Sequence, residues 1–249
     1  MAGTPNIVDR GVVLRETETK ETDKILTLLT WDQGKISVIA RGARRKNCKF
    51  AAAAQSLAYS EWTLYQHRDW HYASDASTLD LFTGLRNDLT ALARAWYMAE
   101  LTESVAPEAV PEPELLRHLL NGLYALSALH KPPSLVKPAF ELRLLCLVGY
   151  EPLVDACAVC GRTDPEEPVL DAVQGVLSCK ACGTGAQTPL CRDSLAAIRR
   201  VIYGDPKRLY SFRLGPEPLR RMTRAVEAFA YAQLERKFST LDFYYSLLT

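Results

Sequence analysis

The chain has almost no charge to spare. Thirty Lys and Arg face 29 Asp and Glu over 249 residues, a net charge of +1. That balance argues neither for nor against a nucleic-acid partner, because a local patch matters more than the sum. Long apolar runs are also missing: no stretch approaches the roughly 20 residues of a membrane-spanning helix without a charge. The first thirty residues lack an apolar run of signal length, and Asp9, Arg10, Arg15 and Glu16 interrupt the start. Histidine is scarce, and no H-E-x-x-H, Walker-type G-x-x-x-x-G-K-[ST] or Rossmann glycine run occurs. His67 and His71 are four apart but fall in a strand-like region, and His118 has no evident metal partner. Asp9 with Glu16, and Glu166 with Glu167, read as surface charge. No catalytic set emerges, and the expectation is a binding protein rather than an enzyme.

Against these absences stand seven cysteines, an odd number that disfavours a disulfide framework. Four of them form Cys157-x-x-Cys160 and Cys179-x-x-Cys182, with eighteen residues between the pairs. Two such thiolate pairs can close a tetrahedron around one zinc ion. Gly161 and Gly183 follow the two pairs and suit tight knuckles. Four protein sulfurs leave no open position for water, so the expected zinc is structural. The plain alternatives are four reduced core cysteines or a redox pair. Cys48, Cys146 and Cys191 lie outside the pairs and suit a reducing cytoplasm; Cys146 reads as core filler and Cys191 as a non-ligand.

Residues 1–80 read as short strands. Ile7 to Leu14 form the first, with Gly11 marking a candidate bulge. Lys24 to Trp31 and Lys35 to Ala40 are joined by Asp32-Gln-Gly34, a hairpin signal. Ile36, Val38 and Ala40 share one face of the third strand. Leu57 to Tyr65 and Trp70 to Ala73 supply the fourth and fifth. Five short strands with one apolar face suit a small closed barrel of OB type, and a two-sheet sandwich is the alternative. Lys35, Arg41, Arg44, Arg45, Lys46 and Lys49 fall in a segment without any acid from Gln33 through Ser60. Such a cluster attracts phosphate and releases counterions on binding; otherwise it is a solvated turn. Trp31, Phe50, Tyr59 and Trp62 could stack on bases, but their strand positions point to the core.

After residue 80 the apolar period becomes helical. Helices are expected from Leu85 to about Val105, from Glu114 to Leu129 and from Val136 to Val148, with Asp80 or Asn87 as caps near the first. The third is apolar almost all round, which places it centrally. The cysteine insert spans residues 155–190, with a small hairpin around Gln174-Gly175. Ser194 to Ile202 and Glu217 to Phe238 form two further helices. Arg199, Arg200, Lys207, Arg208, Arg213, Arg220, Arg221 and Arg224 could extend a phosphate track or simply face solvent. The apolar tail from Leu241 onwards should pack onto the helices. The domain expectation is 1–80 for an OB-type barrel and 81–249 for a helical domain interrupted by the cysteine insert, an α+β multidomain chain.

Several segments together resemble the bacterial recombination mediator RecO family, zinc-containing branch. They are Gly11-Val-Val-Leu-Arg15, Asp23-Lys-Ile-Leu-Thr-Leu-Leu-Thr30 and Gly34-Lys-Ile-Ser-Val-Ile-Ala-Arg-Gly-Ala-Arg-Arg45. Phe140-Glu-Leu-Arg-Leu-Leu-Cys-Leu-Val-Gly-Tyr-Glu-Pro152 leads into the first CxxCG, and Arg236-Lys-Phe-Ser-Thr-Leu-Asp-Phe243 resembles the family ending. The resemblance implies an N-terminal OB fold, a helical domain and a zinc-binding insert with all four ligands present. It implies a non-enzymatic protein of the cytoplasm and nucleoid that binds single- and double-stranded DNA and anneals complementary strands. With RecR it would help load RecA onto strands coated by single-stranded DNA-binding protein, whose acidic C-terminal tail some members bind. Arg41, Arg44, Arg45 and Lys46 match the family's basic motif, whereas Asn47-Cys48-Lys49 departs from its usual continuation. The competing expectation is an interaction scaffold whose basic patch contacts an acidic protein tail.

Overall fold

The computed structural model describes residues 6–183 and 187–247. Two compact units emerge: residues up to Leu129 together with the segment from Thr240, and residues His130–Ser239. Packing thus groups the first two long helices with the barrel, whereas the change of apolar period falls near residue 80.

In the first unit, β1 (Ile7–Thr19), β2 (Asp23–Thr30), β3 (Lys35–Ala40), β4 (Tyr59–His67) and β5 (Trp70–Asp80) close a barrel in the order β1-β2-β3-β5-β4. β4 returns to pair with β1. Every pair is antiparallel except β3 with β5, which run parallel. Closure removes the exposed edges an open five-stranded sheet would carry, and the arrangement is OB-like. Period-2 alternation sends Ser60, Trp62 and Leu64 inward from β4, where they are fully buried. Val13, Leu26, Leu28, Ile36 and Val38 complete the core from the other strands. The bulge in β1 lies between Val13 and Arg15, not at Gly11. A Cβ on Gly11 would come within 2.6 Å of the Thr30 methyl, so this glycine serves close approach of β1 to β2.

The stretch between β3 and β4 plugs the barrel. Ala43, Phe50, Ala53 and Ala54 enter the same core cluster. Around the barrel pack α1 (Leu89–Val105) and α2 (Pro113–Ser127). The cap of α1 is Asp88, whose carboxylate accepts from the N–H groups of Thr90 and Ala91 at 2.8 and 3.1 Å, while Asp80 closes the turn ahead of it by accepting from the Phe82 N–H at 2.7 Å. The apolar tail forms a last short helix whose buried Tyr244 lies under the Arg94 guanidinium at 4.0 Å.

In the second unit, α3 (Pro133–Leu147), α4 (Arg192–Tyr203) and α5 (Pro216–Leu234) pack together; the tail helix, α6 (Ser239–Ser246), belongs from Thr240 on to the first unit. α3 buries ten of the eleven positions from Leu135 to Leu145, all but Arg143, whereas of the apolar run at its end Leu144 and Leu145 are buried and Cys146, Leu147 and Val148 are half-buried. Within it Lys137 is buried against Glu141 at 2.7 Å and Glu227 of α5 at 2.6 Å. Between α3 and α4 lies a three-stranded sheet in the order β7-β6-β8, from β6 (Pro168–Asp171), β7 (Val176–Cys179) and β8 (Gln187–Pro189). Residues 184–186 of the insert lie outside the described residues. Among the described residues, no helix is long and apolar enough to cross a membrane.

Candidate nucleic-acid interface and metal centre

The metal centre is assembled by two loops built alike. In each, the first cysteine's carbonyl accepts the N–H of the glycine after the second: Gly161 N–H to Cys157 O and Gly183 N–H to Cys179 O, both 2.9 Å. The hairpin of β6 and β7 carries Cys179 to the first knuckle. There Ala158 N–H donates to Leu177 O at 2.8 Å, and Cys179 N–H points at Cys157 Sγ at 3.3 Å. The four sulfurs of Cys157, Cys160, Cys179 and Cys182 lie within 4.8 Å of one another. The sulfurs of Cys160 and Cys179 are 3.6 Å apart. Four sulfurs at ~2.3 Å from a central zinc stand about 3.8 Å from each other, so the spacing fits.

The electrostatics fit as well. Backbone N–H groups of Cys160, then Cys179, lower the Cys157 thiol to about 6, which favours the thiolate that ligates metal. Burial pushes Cys179 up to about 12, and the neighbouring sulfurs add to the rise. Sulfurs this close cannot all ionise unless a cation neutralises them. The cluster is thus capable of coordinating a metal ion. Cys191 is not part of it. Arg199, a candidate phosphate ligand in the sequence, is committed elsewhere. Its guanidinium donates to the carbonyls of Val154, Asp155 and Thr163 at 2.7–2.9 Å and ties the first knuckle to α4. Arg220 and Arg221 both pair with Glu217 at 2.8 Å.

The basic turn is the second feature. It follows β3 directly and is two-faced: Ala43, Phe50, Ala53 and Ala54 enter the barrel core, while Arg41, Arg44, Arg45, Lys46 and Lys49 are exposed. Gly42 adopts φ +68°, a left-handed conformation that glycine takes without strain. Its N–H donates to the Asp23 carboxylate at 2.8 Å, and this bond is the main reason the Asp23 pKa is lowered. Arg44 N–H reaches Thr22 O at 2.9 Å, so the turn is fastened at two points to the connection between β1 and β2. Asp23 is therefore a positioning residue; its acidity hid that role among the neighbouring charges.

The cations are not equivalent. Among the described residues, Arg45 and Lys46 form no ion pair. Arg44 meets Glu18 at 3.1 Å and the Glu21 carbonyl at 3.2 Å, with 36% of its side chain exposed. Lys49 pairs with Asp75 at 3.1 Å. The Arg41 guanidinium lies 4.6 Å over the Tyr72 ring. Lys35 stands apart. It begins β3 whereas Arg41 follows its end, and its ammonium reaches the Glu103 carbonyl at 2.9 Å and Glu108 at 3.2 Å. Of the aromatics weighed for stacking, Phe50 and Trp62 are buried, and Trp31 donates its indole N–H to the Tyr59 hydroxyl at 2.9 Å. An aromatic group flanks the tip of the β4–β5 hairpin, with Tyr65 and Tyr72 half-buried and His67 and Trp70 exposed; the sequence offered these residues only as members of strands, although Tyr65 and Tyr72 stack at 5.2 Å.

With this geometry in view, comparison with known proteins is direct. A family model described as Recombination protein O N terminal matches residues 1–82, and one described as Recombination protein O C terminal matches residues 86–242. Similar curated proteins include the DNA repair protein RecO of Anaeromyxobacter sp. strain K, 35% identical with 94% of this chain and 93% of the relative covered. Others are that of Symbiobacterium thermophilum, at 33% identity, and that of Acetivibrio thermocellus, at 30%, each covering 94% of both chains.

Proposed function

Because this chain belongs to the recombination protein O family, and so to the non-catalytic mediators of recombinational repair, we propose that it binds single- and double-stranded DNA through the basic turn and anneals complementary strands. The observation that carries the reading is the fastening of Arg41, Arg44, Arg45 and Lys46, all exposed, on one rigid turn at the end of β3. Phosphates recognised there are held by charge, without reading base identity. Two strands anneal when their mutual repulsion is relieved, and a cationic turn supplies that relief. Partnership with RecR, with the acidic tail of single-stranded DNA-binding protein and, through them, with RecA belongs to the same proposal, as does a place in the cytoplasm at the nucleoid. Lys35 belongs to the proposed surface only through long-range charge, since its largely buried side chain is held by the Glu103 carbonyl and Glu108; Lys49 is exposed and must exchange Asp75 for a phosphate, as Arg44 must exchange Glu18.

The four-cysteine cluster holds one zinc ion in this reading. Cys157, Cys160, Cys179 and Cys182 are its ligands, and its contribution is to the folding of the insert.

The deciding test is annealing of complementary strands coated with the cognate single-stranded DNA-binding protein, with and without RecR. Salt titration of DNA binding accompanies it. We expect annealing by the native chain and its loss, with the fold intact, in Arg44→Glu/Arg45→Glu. Absence of DNA binding at low salt, with capture of an acidic tail peptide retained, would sink the DNA reading in favour of a protein-interaction scaffold.

A further inference from the structure

The hairpin of β4 and β5 ends in a two-residue turn, Arg68-Asp69, with Tyr65 and His67 before it and Trp70 and Tyr72 after it. Register pairs Tyr65 with Tyr72 and His67 with Trp70. Inward positions of β4 are taken by Ser60, Trp62 and Leu64, so Tyr65 and His67 point outward, as do their cross-strand partners. The rings are organised. Tyr65 and Tyr72 are stacked, with 14° between their planes, and His67 meets Tyr72 edge-on at 6.4 Å. Arg41, from the basic turn, lies over Tyr72. Parallel pairing of Ile39 with Tyr72 holds the end of β3 against this hairpin, so the first cation of the turn, Arg41, and the last ring of the group, Tyr72, are neighbours. Trp70 is 43% exposed and, among the described residues, has no ring stacked on it. Arg68 is exposed on the turn beside it, with Asp69.

A row of cations that passes into outward aromatic rings matches unpaired nucleotides: cations follow the phosphates and rings take the bases. A duplex keeps its base faces inside its own stack and cannot use the rings. We propose that the tip of the β4–β5 hairpin is a base-stacking platform for single-stranded DNA, with Trp70 as the principal ring. The column Tyr65–Tyr72–Arg41 holds the tip and joins it to the phosphate-binding turn. The inference rests on the DNA-binding reading above and adds to it a structural cause for preferring single strands.

The test compares oligo-dT with an abasic deoxyribose-phosphate oligomer of equal length, so that charge is constant and only the bases differ. The native chain should bind oligo-dT about 5- to 160-fold more tightly, the range for one stacked base. Its tryptophan fluorescence should be quenched by oligo-dT and not by the abasic oligomer. Trp70→Ala should remove the quenching and most of the affinity difference, and Trp70→Phe should restore the difference. Equal affinity of the native chain for both oligomers overturns the platform while leaving the phosphate-binding turn standing. Quenching of equal size by an oligo-aspartate peptide also overturns it, because a polyanion without bases would then suffice. Failure to bind either oligomer at low salt overturns both readings together. The quenching measurement uses the native chain, so it decides the matter even where a variant folds poorly.

Discussion

Replacing Glu18 by Gln should tighten DNA binding, and the ion-pair geometry says by how much. Arg44 is the one cation of the turn core with a carboxylate partner, Glu18 at 3.1 Å, on side chains 36% and 65% exposed. A phosphate that binds Arg44 must displace that carboxylate. An exposed pair of this kind is worth about 0–1 kcal/mol, so its removal should raise affinity by up to about fivefold. The salt dependence should change with it. Four phosphates met by Arg41, Arg44, Arg45 and Lys46 give a slope of about −3 in log K against log salt for single strands, at about 0.7 per phosphate. With Glu18 in place, Arg44 exchanges one anion for another and contributes less than its share. Glu18→Gln should therefore steepen the slope by up to about 0.7. Fluorescence anisotropy with a labelled oligo-dT across a salt series measures both quantities. Glu61→Gln is the control, because it makes the same change in net charge while freeing Arg10 on β1. Equal gains from the two variants would reduce the effect to net charge. An unchanged or weaker affinity for Glu18→Gln would refute the claim that Arg44 faces phosphate.

Three further expectations concern the fold. Cys157→Ser or a strong chelator should release one zinc per chain, measured by metal analysis, and lower the thermal midpoint, whereas Cys191→Ser should leave the metal content at one. Lys137→Met should cost about 3–5 kcal/mol in denaturant unfolding, because it breaks the buried ion pair with Glu141 by removing one partner. A double variant that also replaces Glu141 by Leu should recover much of that loss. Asp23 has a folded pKa below its ordinary value, chiefly through the Gly42 N–H. The stability it contributes is therefore complete above the ordinary pKa of about 4 and is lost as pH falls through the lower folded value. Asp23→Asn should flatten that acid limb in a plot of thermal midpoint against pH.

The sequence was most readable where a feature is local. Strict alternation from Lys35 to Ala40 located β3 to the residue, and the cysteine spacing identified the cluster before any coordinates. The basic turn was legible because an acid-free run needs no partner to be noticed. What escaped depends on contacts far along the chain. Lys35 reads as one more cation of the patch until Glu103, 68 residues away, is folded against it. Arg199 reads as a phosphate ligand until the loop from Val154 to Thr163 arrives to use its donors. The stacking of Tyr65 on Tyr72 depends on hairpin register, which shifts between Thr63 and Leu64 and cannot be counted from composition. β8 is three residues long and gains its strand character only from pairing with β6.

The barrel closes through a narrow seam. β3 and β5 share only two register pairs, Val38 with His71 and Ile39 with Tyr72, far fewer than any other neighbouring strands of the barrel. Arg41 and Tyr72 clasp across the end of that seam. A DNA strand held by the turn on one side and by the hairpin tip on the other would act as a suture. Amide exchange at residues 38–41 and 71–72 should slow on loading, which makes the weakest line of the barrel its natural reporter of occupancy.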